Sequence, residues 1–350
     1  MTSDNIQKKF HIKGILNFLL SIVLAVILLY IAFHDADFNQ ILNIVSHASI
    51  LWIVVLSVVF LLSHFVRAIR WKIILNSVKS NTSIKNLFGS LMVGYAVNCV
   101  VPRLGEITRA VLIGRWEGLS RSSMFGAVIV ERVIDIIFLG LSVLISVYIW
   151  QEDLYASFPW LKSTLYISMI GIILFILFIY LTIRFKEHFY GIIVKALGKI
   201  SKKAAGKSAY IFEMLVQGFS SLQGVKNYLL TFVLSIVIML LYALCSYIGF
   251  YTLFMENIRP VSFAMAWVLM SISGIGVVIP TPGATGSYHA LAKSALMLFG
   301  FGEVISLSYA FLTHIISYVL FIIVGALSFM FLNKRHESLI KVVETGVDDL

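Results

Sequence analysis

Three short stretches put charge where the surrounding chain is apolar: "RAIRW" (67–71), "VPRLGEITR" (101–109) and "ERVID" (131–135). Arg67 and Arg70 are three apart at the end of an apolar run, so on a helix they share a face. Guanidinium groups hold carboxylates and phosphates through paired, charge-assisted hydrogen bonds. In the second stretch Glu106 and Arg109 stand one turn apart once a helix begins near Gly105. Arg103 then precedes the first amides of that helix, which carry partial positive charge, and an arginine there suits a phosphate. In the third stretch Glu131, Arg132 and Asp135 occupy neighbouring positions on one turn, where two close carboxylates can leave one able to carry a proton. A charge at the centre of a membrane span costs about 2.5–3.5 kcal/mol on insertion scales, so a retained charge has a partner or faces water. Two readings stand side by side. The set is an ion-pair clamp between helices, or it binds an anion and exchanges protons; for Arg67 and Arg70, snorkelling to the membrane interface is a third.

The elements that must position these groups are membrane spans. Of 350 residues 60% are hydrophobic and 13% charged, and the mean hydropathy is +0.96, outside the range of soluble domains. A crossing needs about 20 predominantly apolar residues. Residues 15–33, 50–66, 123–150, 164–183, 228–255 and 304–332 meet that requirement, and two further apolar pairs, 84–101 with 107–116 and 261–279 with 284–301, are interrupted in the middle. The N-terminal run follows Lys8, Lys9 and Lys13, but it exceeds the apolar core of a signal peptide and no small-x-small site follows, so it is expected to stay as the first span. Cys99 and Cys245 lie in apolar segments without paired spacing, which indicates neither a disulfide framework nor a metal site.

Charge sets the orientation. With a cytoplasmic N-terminus, nearly all Lys and Arg fall in cytoplasmic segments; Lys162 and Arg259 are the external exceptions, and Arg132 and Lys293 lie within apolar segments. This bias predicts cytoplasmic N- and C-termini. The net charge of +10 then reads as contact with anionic headgroups, with no domain suited to nucleic acid. Segment 188–224 interleaves Lys195, Lys199, Lys202, Lys203 and Lys207 with apolar residues and is expected either to lie on the cytoplasmic surface as amphipathic helix or to be a plain basic loop. The external loops near 34–49, 151–163 and 256–261 are short.

Parity requires each interrupted pair to leave and return on one side. Pro102 and Gly105 break the inner pair; Pro280, Pro282, Gly283 and Gly286 break the outer one. The expected architecture is an all-α polytopic membrane protein of about six full transmembrane helices plus two re-entrant hairpins in an inverted repeat. One membrane domain occupies 1–350: half 1 covers 15–150 with inner hairpin 84–116, half 2 covers 228–332 with outer hairpin 261–301, and 333–350 is a cytoplasmic tail. Paired interrupted segments of this kind mark a central site lining a cavity. The competing architecture is an ordinary bundle with two tight loops. His289, beside Ser287 and Tyr288 at the outer tip, is scaffold or a proton-exchanging group; His64 and His314 are single polar residues in spans. No nucleophile elbow, phosphate loop, dinucleotide fingerprint or metal-ligand spacing occurs, so neither enzyme activity nor a cofactor is expected.

"RAIRW", "NCVVPRLGEITRAVLIGR" (98–115), "ERVID" and "IPTPGATG" (279–286) resemble the successive motifs of the lysylphosphatidylglycerol synthase transmembrane-region family, also called the flippase-like domain family. The order and spacing match over nearly the whole chain. The resemblance implies a prokaryotic cytoplasmic-membrane protein with re-entrant hairpins that moves or handles anionic lipids. It carries over Arg70, Asn98, Pro102, Arg103, Gly105, Glu106, Arg109, Glu131, Arg132 and Asp135. At the outer hairpin the family often has G-G-x-G-x-x-E, where this chain has Gly283, Ala284, Gly286 and His289. Bifunctional members carry a following aminoacyl-transferring domain; with the chain ending at Leu350, synthase activity is not expected.

The expected function is therefore translocation of an anionic, phosphate-bearing lipid across the cytoplasmic membrane. Arg67, Arg70, Arg103, Arg109 and Asn98 would contact the headgroup; Glu106, Glu131, Arg132, Asp135 and His289 would support them or exchange protons. The partners are membrane lipids, phospholipid or polyprenyl phosphate, with self-association into a homo-oligomer compatible with this layout. The alternatives are an intramembrane lipid-modifying enzyme, an accessory scaffold for a lipid or polyprenyl-phosphate transferase, and a transporter of a soluble ligand.

Overall fold

A computed structural model of the chain describes residues 3–34, 36–76, 79, 81–150 and 224–333, with scattered positions from 166 to 206. The predicted span 164–183 and the basic segment 188–224 lie largely outside the described residues. Among the described residues the secondary structure is helical: α1 (Ser3–Phe33), α2 (Phe38–Ser46), α3 (Ile50–Leu75), α4 (Ile84–Val100), α5 (Leu104–Glu117), α6 (Arg121–Ile149), α7 (Val225–Thr252), α8 (Phe263–Val278), α9 (Ser287–Leu298) and α10 (Glu303–Leu332).

Helices α3, α7 and α10 are long and apolar enough to cross a bilayer. Their outer faces carry large apolar residues, such as Ile50, Val58, Val225 and Phe331, which a soluble protein would hide but lipid tails cover. Helix α3 runs nine residues past the predicted end of its apolar stretch, because Arg67, Arg70 and Trp71 continue the helix and are buried. Helix α6 covers residues 123–149 of the predicted 123–150 stretch and carries Glu131, Arg132 and Asp135 within it. In the predicted loop 34–49 the chain forms α2 instead. Asp37 caps it by accepting hydrogen bonds from the amides of Asn39 (3.0 Å) and Gln40 (3.2 Å), and the Phe18–Phe33 part of α1 meets it at 85°.

The chain forms two compact units. The first comprises Met1–Leu62, Met92–Gly105 and Leu241–Met330; the second comprises Ser63–Leu91, Glu106–Leu240 and Phe331–Leu350. Each unit draws segments from both predicted halves.

In the first unit, α8 and α9 pack against each other across the Pro-Gly turn, and α1 packs on α9. The turn depends on positive φ at Gly283 (55°) and Gly286 (84°), the region in which glycine carries no Cβ penalty. Ser287 at the head of α9 donates its hydroxyl to the Gly276 carbonyl at 2.7 Å, tying the two arms of this hairpin. The end of α4 belongs to the same unit. There Asn98 Oδ1 accepts the Gly105 amide at 2.7 Å and so satisfies a donor at the start of α5.

The second unit packs Ala68, Trp71, Ile74 and Leu75 of α3 against Leu87 of α4, Ala110 and Ile113 of α5, and Met124, Ala127, Val128 and Val130 of α6. The alanines bring helix backbones close. In lipid such van der Waals fit, and not exclusion from water, holds helices together. Beyond this core Glu117, at the end of α5, accepts hydrogen bonds from Lys79 Nζ (2.8 Å), Asn86 Nδ2 (2.7 Å) and the Ser83 amide (3.0 Å), pinning the start of α4.

Candidate functional site: a buried arginine–carboxylate cluster

The second unit gathers most of the residues singled out from sequence. Arg67 and Arg70 come from one face of α3, Glu106 and Arg109 from α5, and Glu131, Arg132 and Asp135 from α6. Glu131 is fully buried and lies at the centre. One of its oxygens accepts from Arg67 Nε at 2.7 Å and from Arg70 Nη2 at 3.4 Å; the other accepts from Arg109 Nη1 at 2.6 Å. Asp135, one turn on, accepts from Arg67 Nη2 and from Arg70 Nη2 at 2.5 Å. The Arg70 Nη1 donates to Ser235 Oγ of α7 at 2.9 Å, and that hydroxyl in turn donates to the Thr231 carbonyl at 2.7 Å. Arg109 lies 5.0 Å over the Trp71 ring, an attraction between the guanidinium and the electron-rich face.

The cluster has a buried side and an accessible one. Arg70 and Arg109 are 0% and 2% exposed, whereas the side chains of Arg132, Glu106 and Asp135 are 33%, 22% and 15% exposed. At that edge Arg132 Nη2 bonds Glu106 Oε1 at 3.0 Å and its Nη1 lies 3.8 Å from Asp135 Oδ2. Four guanidinium groups thus meet three carboxylates in one cluster. Burying charge in this way costs several kcal/mol per ion unless partners compensate, and the paired oxygens of Glu131 and Asp135 supply that compensation. Chemically, the cluster can lock α3, α5 and α6 together, and at its edge it can exchange a carboxylate partner for an incoming anion.

Not every sequence-selected residue is here. Arg103, Asn98 and His289 belong to the first unit. Arg103 adopts φ 64°, is exposed, and directs Nη2 to the Val278 carbonyl at 3.4 Å. Asn98 spends its Oδ1 on the Gly105 amide, and His289 accepts the Gly286 amide at Nδ1, 3.3 Å away. Pro102 lies in the break between α4 and α5, while Pro280 and Pro282 flank the turn before α9. Ser235, which looks like any hydroxyl in an apolar helix, is not distinguished by the sequence. His314, in sequence a single polar residue in a span, gains a neighbour in His289, with ring centroids 4.6 Å apart.

The comparisons with known proteins agree with a membrane protein. A UPF0104 membrane protein of Methanocaldococcus jannaschii is 23% identical over 316 residues, covering 85% of this chain and 89% of that protein. A UPF0104 membrane protein of Methanothermobacter thermautotrophicus is 29% identical over 122 residues, covering 33% and 35% of the two chains. No solved structure matches. The description of the lysylphosphatidylglycerol synthase TM region matches residues 18–325, a stretch that contains both hairpins and every residue of the arginine–carboxylate cluster. This multi-pass helical membrane protein therefore belongs to the lysylphosphatidylglycerol synthase TM region family.

Proposed function

We propose that the protein translocates an anionic, phosphate-bearing lipid across the cytoplasmic membrane, with cytoplasmic termini and the two broken hairpins acting as re-entrant elements. The observation that carries this reading is the arginine excess of the cluster, together with its partly exposed edge at Arg132, Glu106 and Asp135. A headgroup phosphate arriving at that edge replaces Asp135 or Glu106 on Arg132 and meets a planar, bidentate donor. Glu131 keeps Arg67, Arg70 and Arg109 ordered behind it, so the site is preorganised while the lipid tails remain in the bilayer. Family membership supports a role in handling lipid, and the apolar outer faces of α3, α7 and α10 suit contact with lipid tails.

The test is translocation of a fluorescent anionic phospholipid in proteoliposomes, comparing wild type with Arg132→Ala and Arg109→Ala. Wild type moves the lipid and a zwitterionic analogue far less; Arg132→Ala slows transport with the fold intact. Equal transport by all three proteins overturns the assigned site, and no transport by wild type overturns the function.

A further inference from the structure

The first unit buries a second polar cluster that lipid binding at the arginines does not use. His289 on α9 and His314 on α10 stand 4.6 Å apart between ring centroids, at 61°. Both rings are tied to one turn. The Gly286 amide donates to His289 Nδ1 at 3.3 Å, and His314 Nε2 lies 2.9 Å from the Gly283 carbonyl oxygen. An amide only donates and a carbonyl only accepts, so both neutral imidazoles carry hydrogen on Nε2 and a lone pair on Nδ1. The lone pair of His289 is already occupied by Gly286; that of His314 has no backbone obligation.

The two sites differ in what a proton would cost. At Nδ1 of His289 it would set donor against donor and place positive charge at the α9 N-terminus, where the helix dipole opposes it. At Nδ1 of His314 it breaks no hydrogen bond and makes the existing bond to Gly283 charge-assisted. The rings of Tyr288 (5.8 Å) and Tyr318 (5.4 Å) flank His314, and aromatic faces attract a cation.

We infer that His314 is a proton-binding site, taking one proton at Nδ1 while its Nε2–H stays on the Gly283 carbonyl and its ring lies between those of Tyr288 and Tyr318, with neutral His289 beside it as the cap of α9. Two imidazolium rings at this separation repel, so the pair takes one proton. The surrounding ionisable groups are engaged elsewhere. Tyr288 shares a hydrogen bond with Thr313 (3.0 Å), Tyr309 donates to the Ser246 carbonyl (2.8 Å) and Tyr318 donates to the Cys99 carbonyl. Lys293 bonds the Ala32 carbonyl (2.9 Å) and Glu303 (2.7 Å). Helix α1 presents Phe33 at 5.4 Å from His289, with the Tyr30 and His34 rings edge-on to each other at 68°; α7 contributes Cys245, α4 Cys99, and α8 only hydroxyls. Glu303, the carboxylate among these groups, is already neutralised by Lys293. Where lipid transport is coupled to this site, anion and proton strengthen each other's binding by linkage. This last step rests on the translocation reading and makes the proton a co-substrate of the lipid; the proton site itself does not depend on it.

The experiment is a titration of full-length protein labelled with nitrogen-15 histidine in micelles, from about pH 8 to about pH 4, the range that spans imidazole protonation. One Nε2–H imidazole gains a proton at Nδ1; the signal is lost in His314→Gln, which retains a donor toward Gly283, and survives in His289→Gln. Persistence of that titration in His314→Gln, or its loss only in His289→Gln, overturns the proposal. So does a wild-type protein in which no buried imidazole titrates, a result that needs no variant to fold. In proteoliposomes, transport by wild type changes by up to about tenfold per pH unit, and His314→Gln flattens this to within about twofold. A titrating His314 in a protein that moves no lipid leaves the proton site standing and removes the translocation reading.

Discussion

In the second unit Glu131 answers three guanidinium groups with its two oxygens, whereas in the first unit His289 and His314 face neutral rings, hydroxyls and backbone. The first arrangement gains its stability from full charges that compensate one another, so losing one member strands several others. The second has no fixed charge at its centre, so each contact is individually weak, yet the cluster can accept a charge. Lipid surroundings sharpen the contrast, because an unpaired charge finds no water there.

Glu131→Gln should break the comparison most severely, costing about 3–5 kcal/mol because Arg67 and Arg109 lose a buried counter-charge. Thermal unfolding in detergent measures it, and a loss below about 1 kcal/mol would mean that the cluster is not held by charge pairing. Gly105→Ala comes next, at about 1–3 kcal/mol, since a Cβ there runs into the Gly94 carbonyl and the Asn98 side chain. It tests whether the α4–α5 break depends on close backbone approach as well as on ion pairs. Tyr288→Phe keeps the ring against His314 but removes the hydroxyl shared with Thr313, and should cost about 1 kcal/mol. A loss as large as that of Glu131→Gln would erase the distinction between the two clusters.

The smallest effect belongs to Lys79→Ala, below about 1 kcal/mol, because the Lys79 side chain is 36% exposed and water screens its pair with Glu117. That pair also has a defined pH dependence. Burial alone would raise the Glu117 carboxyl, but hydrogen bonds from Lys79, Asn86 and the Ser83 amide, with the Lys79 charge, outweigh it and hold the group below its ordinary range. A carboxyl with a depressed folded-state value stabilises above its unfolded-state value and loses that contribution as pH falls through the folded one. The difference in melting temperature between wild type and Lys79→Ala should therefore shrink on acidification, whereas a constant difference would assign the effect to the lysine's bond to the Glu117 carbonyl at 2.9 Å.

Local features were readable in the chain itself. Hydropathy located α3, α7 and α10, Pro102 marked the α4–α5 break, and the Pro-Gly run 280–286 marked the turn before α9. The i,i+3 spacing put Arg67 with Arg70 and Arg132 with Asp135 on common faces, and the charged set was singled out because membrane segments rarely retain such residues. The helix capped by Asp37 is not legible in the chain, because the stretch that follows is short and short amphipathic pieces resemble loops.

Composition and periodicity thus determined that this is a helical membrane protein, where its helices break, and which residues are costly to keep. Only the tertiary structure decided that Glu131 meets Arg67 and Arg109, that Arg103 and Asn98 belong to the other unit, and that His289 has His314 for a neighbour. Helical spacing is a local property that any window of chain reveals, whereas a pair 64 residues apart, such as Arg67 and Glu131, exists only once packing has brought two helix faces together.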